Sequence, residues 1–189
     1  MRAGWRSIES LKRMGITVLG KNIKVSTKCS IYNPKNIVLH DNIRIDDFTV
    51  LSASGQLVIK NYVHIAHQCL VNAAKQIVFE DFSNISSGVK LYGASDDFSG
   101  LSLMGPTVDL YYRNIKSENI ILSKYTTIGA NTVILPGVHF GTGTIIGAQS
   151  LVLRDTEPWK IYAGSPARII GNRQRKLLEY EGALEHTLL

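Results

Sequence analysis

The chain has 189 residues, 44% of them hydrophobic and 19% charged, with a net charge of +6 and a pI near 9.3. That length fits one domain of roughly 100–200 residues. No apolar run approaches the ~18 residues of a membrane span, and Met1–Gly15, interrupted by Arg2, Arg6, Glu9, Lys12 and Arg13, has no signal-peptide core, so a cytoplasmic location is expected.

Met1–Met14 places Trp5, Ile8 and Leu11 at helical spacing and reads as a short amphipathic helix within an N-terminal cap, residues 1–18. From residue 19 the period changes. Aliphatic side chains recur every six positions at Leu19, Val25, Ile31, Ile37 and Ile43, and again at Ile128, Ile134, Phe140, Ile146 and Val152. Neither a helix of 3.6 residues per turn nor a plain alternating strand has this step. A short strand and a turn per hexapeptide, three times over, closes a triangular coil whose aliphatic side chains point inward and stack from coil to coil. Each fully buried aliphatic side chain contributes roughly 1.5–3 kcal/mol, so such ladders support a core without helices.

A longer repeat is superposed. Leu39–Ile45, Ile59–Ile65 and Phe79–Ile85 align at a spacing of twenty, one coil of eighteen residues plus a two-residue insertion. Asp41-Asn42, Asp46-Asp47, Ser86-Ser87-Gly88 and Gly141-Thr142-Gly143 supply turn residues that accept positive φ. Cys29 and Cys69 fall in these apolar patterns and outside any CxxC or Cys/His cluster, so both are expected as small buried hydrophobes and not as a disulfide or zinc site.

The ladder lapses over residues 92–119, a stretch rich in Gly, Ser and Asp that reads as an extended loop leaving the solenoid. Loops this long are most often functional. The coil resumes and runs to residue 173, and Gln174–Leu184 patterns as a second helix within a C-terminal segment, residues 174–189. Much of the positive charge gathers late, at Arg154, Lys160, Arg168, Arg173, Arg175 and Lys176. It implies an anionic partner. A phosphate-bearing cofactor suits it as well as DNA, and no nucleic-acid motif or basic stripe with interleaved aromatics is visible.

Ile128-Gly129-Ala130-Asn131-Thr132-Val133-Ile134-Leu135-Pro136-Gly137-Val138, Ile146-Gly147-Ala148 and Tyr162-Ala163-Gly164-Ser165-Pro166-Ala167-Arg168-Ile169-Ile170 resemble the signature of the hexapeptide-repeat acyltransferases. The nearest branch holds the galactoside, maltose and antibiotic O-acetyltransferases and the bacterial surface-polysaccharide acetyltransferases. The resemblance covers residues 19–173 and implies an all-β fold, a left-handed parallel β-helix, against the usual right-handed crossover. It also implies a homotrimer with active sites between neighbouring subunits, and acetyl-CoA as cosubstrate along the groove where two solenoids meet. Small corner residues that admit the pantetheine arm carry over to Ala130 and Ala148, and phosphate-binding basic residues to Arg154, Lys160, Arg168 and Arg173. Such chemistry suits a long anion held by backbone amides along its arm and by Arg or Lys at its phosphates. The glycines and alanines of the corners also have a purely steric explanation.

Acetyl transfer to a hydroxyl requires a general base, which contributes about 10²–10⁴ in rate. In the O-acetyltransferases that base is a histidine on the long loop, but here Leu91–Gly100 contains none. His64 is expected to point outward from a coil face below the loop, where neighbouring copies have Arg44 and Asn84, either as the base or as an interface histidine. Asp96 and Asp97 are candidates to orient it, bind sugar hydroxyls, replace it, or simply order a turn. Tyr111, Tyr112 and Arg113 either line the acceptor pocket or pack the loop onto the coil. His40, His67 and His139 read as turn or surface residues.

Transfer to a hydroxyl or amino group of a sugar, in surface-polysaccharide (O-antigen) biosynthesis, is the main expectation. An amine bound neutral attacks without prior deprotonation, so N-acetylation of a nucleotide-linked amino sugar is the alternative raised by the missing histidine. A metal enzyme on the same coil, like the γ-class carbonic anhydrases, requires three histidines, and His64 and His67 lack a third partner, so no metal is expected. A non-catalytic β-helix scaffold is a further alternative. The cofactor motif and long loop speak against it.

Overall fold

The computed structural model describes residues 4–187; residues 1–3 and 188–189, the extremities of the two expected caps, lie outside it. The chain is a parallel β-helix of three faces. The first face stacks Thr17–Val18, Ile37–Leu39, Gln56–Ile59, Gln76–Phe79, Ile120–Leu122 and His139–Phe140. The second stacks Ile23–Val25, Ile43–Ile45, His64–Ile65, Asn84–Ile85, Thr127–Ile128, Ile145–Ile146, Lys160–Ala163 and, antiparallel at the end, Arg168–Asn172. The third stacks Ser30–Tyr32, Val50–Ser52, Leu70–Asn72, Lys90–Tyr92, Val133–Ile134 and Leu151–Val152.

Registers reproduce the sequence periods. Ile37 lies beside Leu57 and Leu57 beside Ile77, a step of twenty, while Ile128 lies beside Ile146 and Ile134 beside Val152, a step of eighteen. The two extra residues fall at one place. They lengthen the corner from the third face to the first, at Ala53–Gln56 and Ala73–Gln76, and the long loop leaves the coil at this same corner. From the second coil on, the other two corners keep their length, so the inward positions stay in phase across the interruption: Phe79 pairs with Leu122 and Ile85 with Ile128.

Ile37, Ile43, Ile65, Ile77, Ile128, Ile134 and Phe140 are fully buried in one continuous core with Cys29 and Cys69. Burial raises the two thiols to about 12 and about 11, so they behave as the small hydrophobes expected. Leu19 departs from the expectation. It is 64% exposed, because the first coil is incomplete and the N-terminal helix, Ile8–Met14, closes that end with Leu11 and Ile16 instead. Ser7 caps that helix and Gly15 ends it in the left-handed region.

The first-to-second corner is tied by a side-chain ladder: Asp41, Asn61 and Asp81 each accept the backbone N–H of the residue one coil earlier, from Lys21, Asp41 and Asn61. One position on, Tyr62, Phe82, Tyr125 and Trp159 occupy left-handed backbone and form a column of rings, with Tyr62 and Phe82 stacked at 4.6 Å. The C-terminal helix, Leu177–Thr187, lies over this column; Glu181 accepts from the Tyr125 hydroxyl and pairs with Lys124. Among the described residues no helix is long and apolar enough to cross a membrane.

The long loop has more order than its composition suggests. Ala94–Asp96 pairs antiparallel with Ile115–Ser117, forming a two-stranded stalk that carries an irregular crown with a short 3-10 turn at Leu110–Tyr112.

Candidate functional site

The second-to-third corner repeats a four-residue turn in every coil, and its second position forms an axial row: Asp47, His67, Ser87, Ala130 and Ala148. The turn fixes the groups around it. The carbonyls of Asp47, His67, Ser87 and Ala130 each accept the N–H of the third turn residue in the next coil, from Gln68, Gly88, Asn131 and Gln149. The N–H groups of Asp47, His67, Ser87, Ala130 and Ala148 have no acceptor within the described chain, leaving a line of spare donors along the row. Beside them Gly129 is sterically required, since a Cβ there would stand 2.5 Å from the Ala148 nitrogen. Ala130 and Ala148 keep the surface low over the C-terminal coils. Beyond Ser87 the row turns bulky and polar at His67 and Asp47. A thin flexible arm therefore has a track cleared by small side chains, with spare amides beneath it, along the half of this corner that ends near Ser87.

Past the last coils, Val152, Leu153, Tyr162, Ala167 and Ile169 line an apolar recess with Arg154 and Arg168 on its rim. Arg168 donates to the Ala167 carbonyl, and the Arg154 guanidinium has no partner among the described residues. The other two basic candidates are engaged elsewhere. Lys160 donates to Asn172 at 2.8 Å. Arg173 reaches the carbonyls of Tyr125 and Gly143, and burial lowers its pKa from the usual arginine range, so it clamps the C-terminal segment to the coil.

His64 points outward from the second face, as its position predicts, and its Nε2 lies 2.7 Å from Asp46 Oδ2. The other Asp46 oxygen accepts from Arg44 Nε at 2.7 Å. Burial is the largest influence on the Asp46 carboxyl and works to raise its pKa, but the hydrogen bonds and charges of Arg44 and His64 together outweigh it and hold the pKa below the ordinary value. An ionised carboxylate of this kind fixes one imidazole orientation, the arrangement that supports a general base. Sequence reasoning missed Asp46 as that partner. Its signal was present in the Asp46-Asp47 turn one coil before His64, at an offset of eighteen where the coil repeat is twenty.

Asp96 and Asp97 do not meet His64 within the chain. Asp96 forms an ion pair with Arg113 at 3.1 Å and accepts the Gly105 N–H, joining the stalk to its crown. Asp97 accepts from the Ser99 N–H and the Ser102 hydroxyl, and these bonds lower its pKa. Tyr111 and Tyr112 meet edge to face at 5.1 Å and stay exposed, so the expected packing of this segment onto the coil does not occur. His67 Nδ1 stands 3.4 Å from the Ser87 hydroxyl, which brings it into the corner row.

No protein-family model matches the chain. A dTDP-4-amino-4,6-dideoxy-D-glucose acyltransferase from Escherichia coli is 38% identical over 176 residues, covering 93% of this chain and 92% of the relative. A putative lipopolysaccharide biosynthesis O-acetyl transferase from Escherichia coli (strain K12) is 28% identical and covers 80% of each chain. Among solved structures, AntD, an N-acyltransferase from Bacillus cereus in complex with dTDP and 3-hydroxybutyryl-CoA, superposes with a TM-score of 0.94, 42% identity and 98% of each chain covered. Further structures of that enzyme carry substitutions at one serine and at one aspartate ten residues beyond it, some with dTDP-4-amino-4,6-dideoxyglucose and coenzyme A. The likeness extends over nearly the whole length and includes the solenoid itself, so this chain belongs to the hexapeptide-repeat sugar acyltransferases, enzymes that move an acyl group from a coenzyme A thioester.

Proposed function

We propose that the chain N-acylates an amino sugar carried on a nucleoside diphosphate, as a homotrimer whose active sites lie between subunits. The observation that carries this reading is the long loop: it holds no histidine, and its three aspartates, Asp96, Asp97 and Asp109, are tied into its own scaffold. An amine bound neutral needs no base before it attacks. Two serine–aspartate pairs, Ser86 with Asp96 and Ser87 with Asp97, have the ten-residue spacing of the positions varied in AntD.

In this mechanism the pantetheine arm lies along Ala148 and Ala130, and the thioester carbonyl reaches the free amide of Ser87. That amide stabilises the oxyanion of the tetrahedral intermediate. The sugar nitrogen forms the new C–N bond, the C–S bond breaks, and the proton released from nitrogen leaves with the coenzyme A thiolate. Arg154 and Arg168 meet the coenzyme's phosphates; Lys160 joins them only by giving up Asn172. The corner row and the loop stand at different corners of the coil, so a loop aspartate approaches a thioester at Ser87 only when a neighbouring copy supplies one of the two. This supports the trimer.

Transfer to a hydroxyl is the second reading, favoured by the Asp46-oriented His64. The products separate the two. With acetyl-CoA and a dTDP-linked 4-amino sugar, the expected product gains one acetyl mass and survives hydroxylamine, as an amide does. A product cleaved by hydroxylamine, or acylation of sugars that lack an amine, would establish ester formation. Loss of that activity in His64→Ala would then assign the base.

A further inference from the structure

The row that carries small side chains over its C-terminal half continues past Ser87 into a recess of about 350 Å³, lined by Arg44, Asp46, Asp47, Phe48, His67 and Gln68. That volume is at the lower end of small-ligand sites. Phe48 is its unusual member. It occupies left-handed backbone at φ 60°, where the next coils place Gln68, Gly88, Asn131 and Gln149, and its ring is 59% exposed. At the first-to-second corner the aromatics in the same backbone state pack against one another, but among the described residues Phe48 has no ring partner; the Lys28 ammonium stands over it, 5.2 Å from the centroid. The ring thus offers an open face in a recess that begins beside the end of the acyl track.

The charges around it suit a phosphorylated ligand. Both oxygens of Asp46 are engaged, by Arg44 and His64, and both of Asp47, by Ser26 and Lys28. Each carboxylate is paired with one cation, Asp46 with Arg44 and Asp47 with Lys28, so the four side chains together are neutral and meet a ligand's phosphates through the cations' spare donors. The cations retain donors: Arg44 uses only Nε on Asp46, leaving both terminal nitrogens, and Lys28 uses one of its three protons. Their side chains are 58% and 56% exposed. Gln68, also exposed, carries both a donor and an acceptor.

We propose that this recess seats the nucleotide of the acceptor, with the base laid on Phe48, the diphosphate against Lys28 and Arg44, and the sugar directed past His67 toward Ser87. The inference rests on the nucleotide-linked acceptor proposed above. Coenzyme A and acceptor then enter one corner groove from opposite ends of the solenoid, and the amine meets the thioester where the row changes from small to bulky.

The test is calorimetric titration of dTDP, with coenzyme A titrated in parallel, into the intact protein and into Phe48→Leu and Arg44→Gln. Phe48→Leu keeps the apolar bulk and removes the π face, so dTDP should bind about tenfold more weakly. Coenzyme A affinity and oligomeric mass should be unchanged, and Phe48→Tyr should bind dTDP as the parent does. If both variants bind dTDP like the parent protein, the nucleotide lies elsewhere and the inference fails while the acceptor class stands. If the parent binds coenzyme A but not dTDP, the nucleotide-linked acceptor itself is wrong and the recess falls with it.

Discussion

Asp46 holds Arg44 and His64 at once, with both of its oxygens at 2.7 Å from nitrogen. Its pKa is depressed in the folded chain, so the stability it contributes is present above its ordinary value of 3.8 and is lost as the pH falls through the lower folded value. Asp46→Asn should melt roughly 2–4 °C below the parent near pH 7, about 1 kcal/mol for partly exposed charged bonds, and the gap should begin to narrow near pH 4 and close as the pH falls through the lower folded value. A gap unchanged down to pH 3 would assign the loss to packing. At this scale the sequence spoke unevenly. His64 was legible because an outward position inside a repeat has a defined direction. Asp46 was not, because its link crosses two turns at an offset the repeat does not express. The roles of Asp96 and Asp97 were open for a related reason: carboxylates in irregular backbone find partners, here Arg113 and the Ser99 amide, that no periodicity announces.

The corner row acts as a unit, since identical turns align its free amides and its alanines keep them accessible. Replacing Ala148 by leucine places three added carbons over the track while leaving the buried ladder intact. The KM for acyl-CoA should rise at least about tenfold, a loss of roughly 1.4 kcal/mol in binding, with a melting temperature close to that of the parent. Unchanged coenzyme A binding would show that the arm does not pass there. Elements of this kind were readable from the six-residue and twenty-residue steps, because strand, turn and inward side chain all recur together. The stalk of the long loop was not. Its antiparallel strands, Ala94–Asp96 and Ile115–Ser117, are three residues each and separated by eighteen residues without a period, so pairing is fixed by geometry and not by pattern. Leu19 followed the six-residue step and still lies outside the core, because a repeat has nothing to stack on where its first coil is unfinished.

Phe98, Leu101, Leu103, Leu110 and Tyr111 are all exposed on the loop of a single chain, an amount of apolar surface that a closed oligomer would cover. A trimer whose sites combine the corner row of one subunit with the loop of the next makes a quantitative prediction. At limiting acyl-CoA, Ala148→Leu chains, weakened in donor binding, and Asp96→Ala chains, whose loop loses the tie between stalk and crown, should each be impaired alone and rise toward about a quarter of parental activity when refolded together in equal amounts, since that fraction of junctions pairs two intact halves. No recovery would place row and loop of each site on the same chain.

The gathering of the large length changes at one corner also bears on how such a molecule can diversify. Ala53–Gln56, Ala73–Gln76 and the long loop all grow from the junction of the third and first faces, while the junction that carries the amide row keeps its length in every coil. One edge of the prism is free to be rewritten and another is held constant. In the proposed arrangement the shared edge keeps the common donor, and the variable edge can be exchanged as a cassette between Gly93 and Asn119 to suit a different acceptor, without shifting the inward side chains out of phase.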